Sequence, residues 1–135
     1  MEHFKAGSRA TKRAPGSYFT GTVLQDPIVE APGPARIRSA IVTFLPGART
    51  NWHTHPLGQT LHVLSGVGRF QTEGRRPVTI RAGDTIWIPP GERHWHGAAP
   101  DTAMVHIAMH EAEDGVHVEW LHPVSDADYA AEPEQ

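Results

Sequence analysis

The sequence predicts an all-β protein, an antiparallel sandwich or barrel that forms a single domain. Eight short segments rich in β-branched and other apolar residues follow one another along the chain. Turn signals separate them, and the chain holds 13 glycines and 12 prolines. No stretch keeps the helical period of 3.6 residues. Many short strands with regular turns are typical of antiparallel β architectures, and 135 residues suit one domain and leave no room for a second.

Each predicted strand is a short segment that lies between two turn signals. The first predicted strand is residues 18–24, which are rich in β-branched and aromatic residues. In residues 36–45 the alternation places Ala40, Val42 and Phe44 on one face, as in a half-buried strand. The remaining predicted strands are residues 60–64, 68–72, 78–80, 85–88, 102–110 and 116–120.

The two ends of the chain are predicted to lie outside the barrel. Residues 1–16 read as an irregular N-terminal arm, and residues 17–124 form the barrel domain. Residues 125–135 are a short polar tail, in which Ser125 is a candidate cap for one helical turn.

Composition excludes several classes of function. The net charge of −3 argues neither for nucleic acid nor for an anionic membrane surface as a partner. Cysteine is absent, which excludes disulfides, thiolate nucleophiles and cysteine-bound metal sites. The N-terminus lacks the apolar core of a signal peptide, and no later run is long enough to span a bilayer. We therefore expect a cytoplasmic protein that acts on a small molecule.

Two His-x-His pairs are the strongest functional signal in the chain. His53 and His55 are two positions apart, as are His94 and His96. In an extended chain such pairs point to the same side, so their imidazoles can meet at one point. Gln59 has the same parity as the apolar residues that follow it and should also face inward. Imidazole is the commonest protein ligand for first-row divalent metals, so a metal site is predicted.

The spacing of these residues resembles the double motif of the cupin family, Gly-x5-His-x-His-x3-Glu-x6-Gly followed by Gly-x5-Pro-x-Gly-x2-His-x3-Asn. The resemblance covers about residues 40–110, and two positions depart from it: Gln59 replaces the glutamate and Ala98 replaces the asparagine. The positions that fit are Gly47, His53, His55, Gly66, Gly83, Pro89, Gly91 and His94. The resemblance implies a jelly-roll β-barrel with a metal in its mouth.

A closer resemblance extends over nearly the whole chain. Residues 52–61 and 90–100 look like the small bacterial cupins with manganese-dependent hydroxynitrile lyase activity. In that group a glutamine is the expected fourth ligand. The resemblance thus implies one divalent ion on His53, His55, Gln59 and His94. Mn²⁺ is the expected ion, with Fe²⁺, Zn²⁺, Ni²⁺ and Co²⁺ as alternatives.

The neutral ligand set predicts the chemistry of such a site. Gln59 cancels no charge, so a divalent ion would keep its formal +2 and favour a developing oxyanion. His96 is the predicted general base, because it lies two residues from ligand His94 and should face the same cavity. His106 and His110 share one face of a predicted strand and are the other candidate catalytic residues. In the lyases that this chain resembles, a glutamine takes the place of His110.

The remaining histidines are interpreted as surface residues. His62 has outward parity, His117 and His122 lie in a late edge region, and His3 is in the arm.

The sequence is compatible with three hypotheses about function. The first is a lyase that cleaves cyanohydrins, or related α-hydroxy compounds, to an aldehyde and cyanide. The second is a dioxygenase with three histidines on Fe²⁺. The third is a non-catalytic barrel that binds a metal or small ligand. An open sheet edge at residues 18–24 also predicts a homodimer or homotetramer.

Overall fold

The computed structural model describes residues 1–134 and confirms the all-β prediction. Its strands are Lys12–Arg13 (β1), Phe19–Thr20 (β2), Val23–Glu30 (β3), Ile37–Phe44 (β4), Arg49–Thr50 (β5), His53–Thr54 (β6), Gln59–Thr72 (β7), Val78–Arg81 (β8), Thr85–Ile88 (β9), His94–Ala98 (β10), Met104–Glu111 (β11) and Glu119–Trp120 (β12). Helix α1, Asp126–Ala130, follows them. The Ser125 hydroxyl accepts a hydrogen bond from the Asp128 N–H at 3.0 Å, which confirms the predicted cap.

The strands form one curled antiparallel sheet in which β7 is the central element. The main path through the sheet is β1-β3-β4-β11-β7-β10-β5-β2. The first half of β7 pairs with β9 and β11, and its second half pairs with β8 and β10. Because each half of β7 pairs with a different set of strands, β7 links the two halves of the barrel.

The prediction of two separate strands at residues 60–64 and 68–72 was wrong. The chain bends at Gly66, with φ of +80°, but its strand pairing continues. The β11 partner shows a register shift between Val105 and His106 at this point. A bulge of this kind turns a strand without ending it, so a turn signal appears inside one continuous strand.

Residues 18–24 do not form the single strand that was predicted. Gly21, with φ of +79°, separates β2 from β3. Strand β3 then passes Pro27, because the pairing with β4 shifts register there and needs no donor from the proline. Within residues 1–16, β1 pairs with β3 along its outer edge.

Strand β10 was not predicted, although it carries two of the candidate site residues. All five of its residues are buried, so it lacks the alternation by which half-buried strands are found. Of the predicted strand at residues 116–120, only Glu119–Trp120 is a strand.

The barrel core consists of the inward faces of β4, β7 and β11. Phe44, Leu61, Val63 and Met104 are all at most 1% exposed. Their alternation with more exposed residues confirms the inward faces predicted for β4 and β11. The apolar core therefore supports the strands from which the histidines project.

A second apolar cluster holds the C-terminal helix against the barrel. Trp52, Trp95, Val124 and Tyr129 form it, and the Tyr129 hydroxyl donates to the Ala98 carbonyl at 2.6 Å. In the described part of the chain, this helix is too short to cross a membrane.

Gly66→Ala is expected to destabilise the fold far more than Gly74→Ala. Both glycines have positive φ, which costs an alanine about 1–2 kcal/mol. A methyl group at Gly66 would also overlap the Ala103 carbonyl oxygen, whereas nothing lies within 4 Å of one at Gly74. We expect Gly66→Ala to cost about 3 kcal/mol more than its control. Urea unfolding of both variants measures this, and equal costs would contradict the close approach of β7 to Ala103.

Candidate metal centre and catalytic chamber

The sheet brings the candidate residues together from four strands. His53 lies on β6, directly opposite His94 on β10. Gln59 begins β7 and lies opposite His110 on β11. His106 is four residues before His110 and therefore lies on the same inward face. Residues that are far apart in the sequence thus surround one point inside the barrel.

An inner chamber of about 120 Å³ lies at this point, and His94 borders it through its stacked neighbour His96. The polar side chains in its wall are Gln25, Thr50, His53, His55, Gln59, His96, His106, His110 and His117. The apolar wall includes Phe44 and Trp120, and the Trp120 ring lies 4.8 Å from that of His53. A chamber of this size holds only the reacting part of a substrate, because ligand pockets usually measure about 300–1,000 Å³.

The three predicted histidine ligands are each anchored by a backbone carbonyl. The Nδ1–H groups donate as follows: His53 to Asn51 at 2.9 Å, His94 to Glu92 at 2.8 Å and His55 to His117 at 2.6 Å. A histidine whose Nδ1–H is donated presents the lone pair of Nε2, and metal-binding histidines are usually held in this way. The anchoring therefore suits all three rings to metal binding.

The Nε2 atoms of these histidines and the amide oxygen of Gln59 are suited to bind a divalent metal ion. The Nε2 atom of His55 is buried and has no hydrogen-bond partner among the described residues. The Gln59 oxygen Oε1 lies 3.4 Å from His94 Nε2, so the amide and the imidazole point to the same place. The His53 ring centroid lies 4.1 Å from that of His94 and 5.0 Å from that of His55. Three imidazole nitrogens and one amide oxygen suit a first-row divalent ion.

A second grouping of three histidines could also hold a metal ion. The ligand atoms of His53, His94 and His96 lie within 4.8 Å of one another. We prefer His55 and Gln59 to His96 as ligands, because His96 has no carbonyl anchor and is hydrogen-bonded to another histidine. This assignment remains a prediction, and alanine variants of these histidines test it.

His96 and His106 form a buried pair beside the predicted ligands. His96 Nδ1 and His106 Nε2 are 3.1 Å apart, so one of them donates to the other. The outer nitrogens of the pair, His96 Nε2 and His106 Nδ1, are buried without a partner in the described chain. If His96 donates from Nδ1, its Nε2 is free to accept a proton. The pair can thus hold a base in the correct tautomer.

His110 and His117 form a second pair at the edge of the chamber. Their rings stack, and His110 Nε2 lies 2.9 Å from His117 Nδ1. The prediction that His117 is a surface residue was wrong, because the turn at Asp114-Gly115 brings residues 116–118 back toward β11. That turn was visible in the sequence, but the side on which the chain returns was not. His62 does not line the chamber, and its Nδ1 lies 2.8 Å from the Thr85 hydroxyl.

Burial lowers the pKa of every histidine in the chamber. The pKa falls to about 4 for His94 and His106, and to about 3 for His110. Burial also places the pKa of His53 well below 6.5, and the neighbouring His94 lowers it further. For His96 the main cause of the lowered pKa is again burial, followed by His106. At neutral pH the chamber therefore holds uncharged imidazoles, the form that binds metals and accepts protons.

The metal-free protein is expected to lose stability as the pH falls below 6.5. The unfolded chain takes up protons there, while His94 and His106 stay neutral in the fold until about pH 4. Each such histidine removes about 1.4 kcal/mol per pH unit across this window. Urea unfolding of metal-stripped protein at about pH 7.5 and about pH 5.5 measures the effect. An unchanged midpoint would mean that these histidines are not kept neutral.

Comparison with known proteins gives one family and one curated relative. The family model described as "Cupin domain" matches residues 40–110. The chain is 54% identical over 129 residues to an (R)-mandelonitrile lyase of Granulicella tundricola, covering 96% of this chain and 98% of that protein.

Solved structures agree with the fold. A cupin-like protein from Thermotoga maritima superposes with a TM-score of 0.83 at 38% identity, over 96% of this chain and 95% of that one. The polyketide cyclase RemF from Streptomyces resistomycificus superposes with a TM-score of 0.75 at 17% identity, over 96% and 90% of the two chains. At so low an identity the second likeness concerns the fold alone.

Proposed function

Since the chain belongs to the cupin domain family, we propose that it is a metal-dependent lyase that cleaves cyanohydrins or related α-hydroxy compounds. The observation that carries this proposal is the neutral His96–His106 pair beside three anchored histidines and Gln59, all of which line or border one chamber. The mandelonitrile lyase relative supports the choice of cyanohydrins. The products would be an aldehyde and hydrogen cyanide.

The metal would be held by His53, His55, Gln59 and His94. All four ligands are neutral, so the ion when bound supplies a Lewis acid of undiminished charge, with Mn²⁺ as the expected metal. These ligands are shielded from bulk water, since His53 and Gln59 are at most 3% exposed. Negative charge that develops on a substrate oxygen is stabilised more strongly in such a site than in water.

The His96–His106 pair would perform the proton transfer. His96 Nε2 accepts the proton of the substrate hydroxyl, while its Nδ1–H donates to His106 and stabilises the positive charge that forms. The oxygen electron pair then becomes the carbonyl π bond, and the bond to the nitrile carbon breaks with its electrons. Cyanide leaves and takes the proton back from His96, which gives hydrogen cyanide and restores the neutral base. His110, whose ring lies 4.8 Å from that of His55, would border the leaving group.

Metal analysis and an anaerobic assay with mandelonitrile test this proposal against its alternatives. Manganese content together with release of benzaldehyde and cyanide without oxygen would support the lyase. Iron content and a requirement for oxygen would instead favour a dioxygenase with three histidine ligands. Tight retention of a carboxylate compound without any turnover would favour a binding barrel.

We also propose that the chain assembles as a homodimer or homotetramer. Its outward faces expose large apolar side chains, among them Trp87 at 59% and Leu64 at 43%. Burial of such groups against a second copy would be favourable. Light scattering at micromolar concentration should give at least twice the 14.8 kDa of one chain. A single species at the mass of one chain would refute the assembly.

A further inference from the structure

A larger groove adjoins the inner chamber. Its volume is about 480 Å³, four times that of the chamber. Gln25, Ala40, His110 and His117 line both cavities. A substrate whose reacting end lies among the histidines can therefore extend past these four residues into the groove.

The strand register places Arg38 in this groove on the same row as the predicted ligand Gln59. Arg38 on β4 lies opposite His110 on β11, and His110 lies opposite Gln59 on β7. Neighbouring strands are about 4.8 Å apart, so the row spans roughly 10 Å from Arg38 to Gln59. Arg38 also has the inward parity of Val42 and Phe44, so it continues the lining of the chamber outward.

The groove carries an excess of positive charge. Three basic residues line it, namely Arg9, Lys12 and Arg38. Among the described residues, Glu30 is the one acidic side chain in its lining. Glu30 lies 3.4 Å from Arg38 but is 73% exposed, so water screens much of that pair. Arg9 is held in place, since it donates to the Ile28 carbonyl at 3.1 Å and lies over the Phe4 ring. Three cations against one carboxylate, beside apolar side chains, suit a ligand with an anionic end.

We propose that this groove binds a carboxylate on the part of the substrate that projects from the inner chamber, with Arg38 as the main determinant of specificity. The inference rests on the proposed function in that it takes the chamber as the place of reaction. It narrows the substrate class to α-hydroxy compounds that carry a carboxylate away from the reacting carbon. Mandelonitrile lacks the carboxylate that the groove recognises.

Binding of two matched alcohols to the metal-loaded protein tests the proposal. The probes are 4-(hydroxymethyl)benzoate and the neutral 4-(hydroxymethyl)benzamide, measured by titration calorimetry at low salt. The parent protein should bind the benzoate about tenfold more tightly, as expected for one partly screened charge pair. Arg38→Gln should reduce that preference to less than about threefold, and Arg9→Gln should reduce it in part. Arg93→Gln is the control, because Arg93 pairs with Glu73 and does not line the groove.

Equal or undetectable binding of the two alcohols to the parent would overturn the proposal. So would a benzoate preference that survives both Arg38→Gln and Arg9→Gln, since the carboxylate would then bind elsewhere, for instance at the metal. The readout is binding, so it stands apart from the lyase proposal. A preference that depends on Arg38 supports the groove even in a protein that cleaves no cyanohydrin. Cleavage of mandelonitrile without that preference refutes the groove alone.

Discussion

His53→Ala is expected to abolish retention of the metal, whereas His62→Ala leaves the metal content unchanged. His53 is anchored through Nδ1 to the Asn51 carbonyl and lies next to the rings of both His55 and His94. Loss of one imidazole from a site with only three should reduce affinity by orders of magnitude. Metal content after desalting, measured by plasma mass spectrometry, checks the result.

His62→Ala is the control, because it also removes an imidazole, but from a position outside the chamber. Its ring lies near the Thr85 hydroxyl, on the opposite side of β7 from Gln59. Equal metal loss from both variants would indicate binding to surface histidines instead of the chamber. Full metal retention in His53→Ala would remove this histidine from the ligand set.

His96→Ala is expected to keep the metal and to lose about 10²–10⁴-fold in turnover, the usual contribution of a positioned acid–base group. His94→Ala should lose metal and turnover together, because His94 is a predicted ligand and His96 is not. Metal content and the rate of mandelonitrile cleavage, measured on the same samples, separate the two roles.

Two outcomes of this comparison would change the assignment of the chamber. Loss of metal from His96→Ala would favour the grouping of His53, His94 and His96 as the ligands. Full turnover in His96→Ala would mean that another residue is the general base, and its partner His106 would be the first candidate. His106→Ala should then retain the metal and lose turnover.

The sequence predicted which histidines lie close together better than it predicted the bounds of the strands. The pairs His53–His55 and His94–His96 were visible because a strand repeats every two residues, so the spacing alone implied a shared side. All four of these histidines line or border one chamber. The inward position of Gln59 followed from the same parity, and the residue is 3% exposed.

Features that depend on the path of the chain could not be predicted in this way. The bend at Gly66 looks like a turn in the sequence, but β7 continues through it because pairing with β11 up to Gly66 is followed at once by pairing with β8 from Val67. His117 enters the chamber because a turn folds residues 116–118 back, and neither periodicity nor composition describes that direction. The groove beside Arg38 likewise arises from the pairing of four strands.

The carbonyl anchors of the ligands have a consequence for how this centre tolerates mutation. His53 and His94 each donate to the main-chain oxygen two residues earlier, an atom that every amino acid carries. The tautomer of these rings is thus encoded in the course of the backbone, not in the identity of a neighbouring side chain. Many different amino acids at position 92 should therefore preserve the hydrogen bond that orients the ring of His94. Over evolution, substitutions at the anchoring positions should be tolerated, whereas substitutions of the histidines themselves should not.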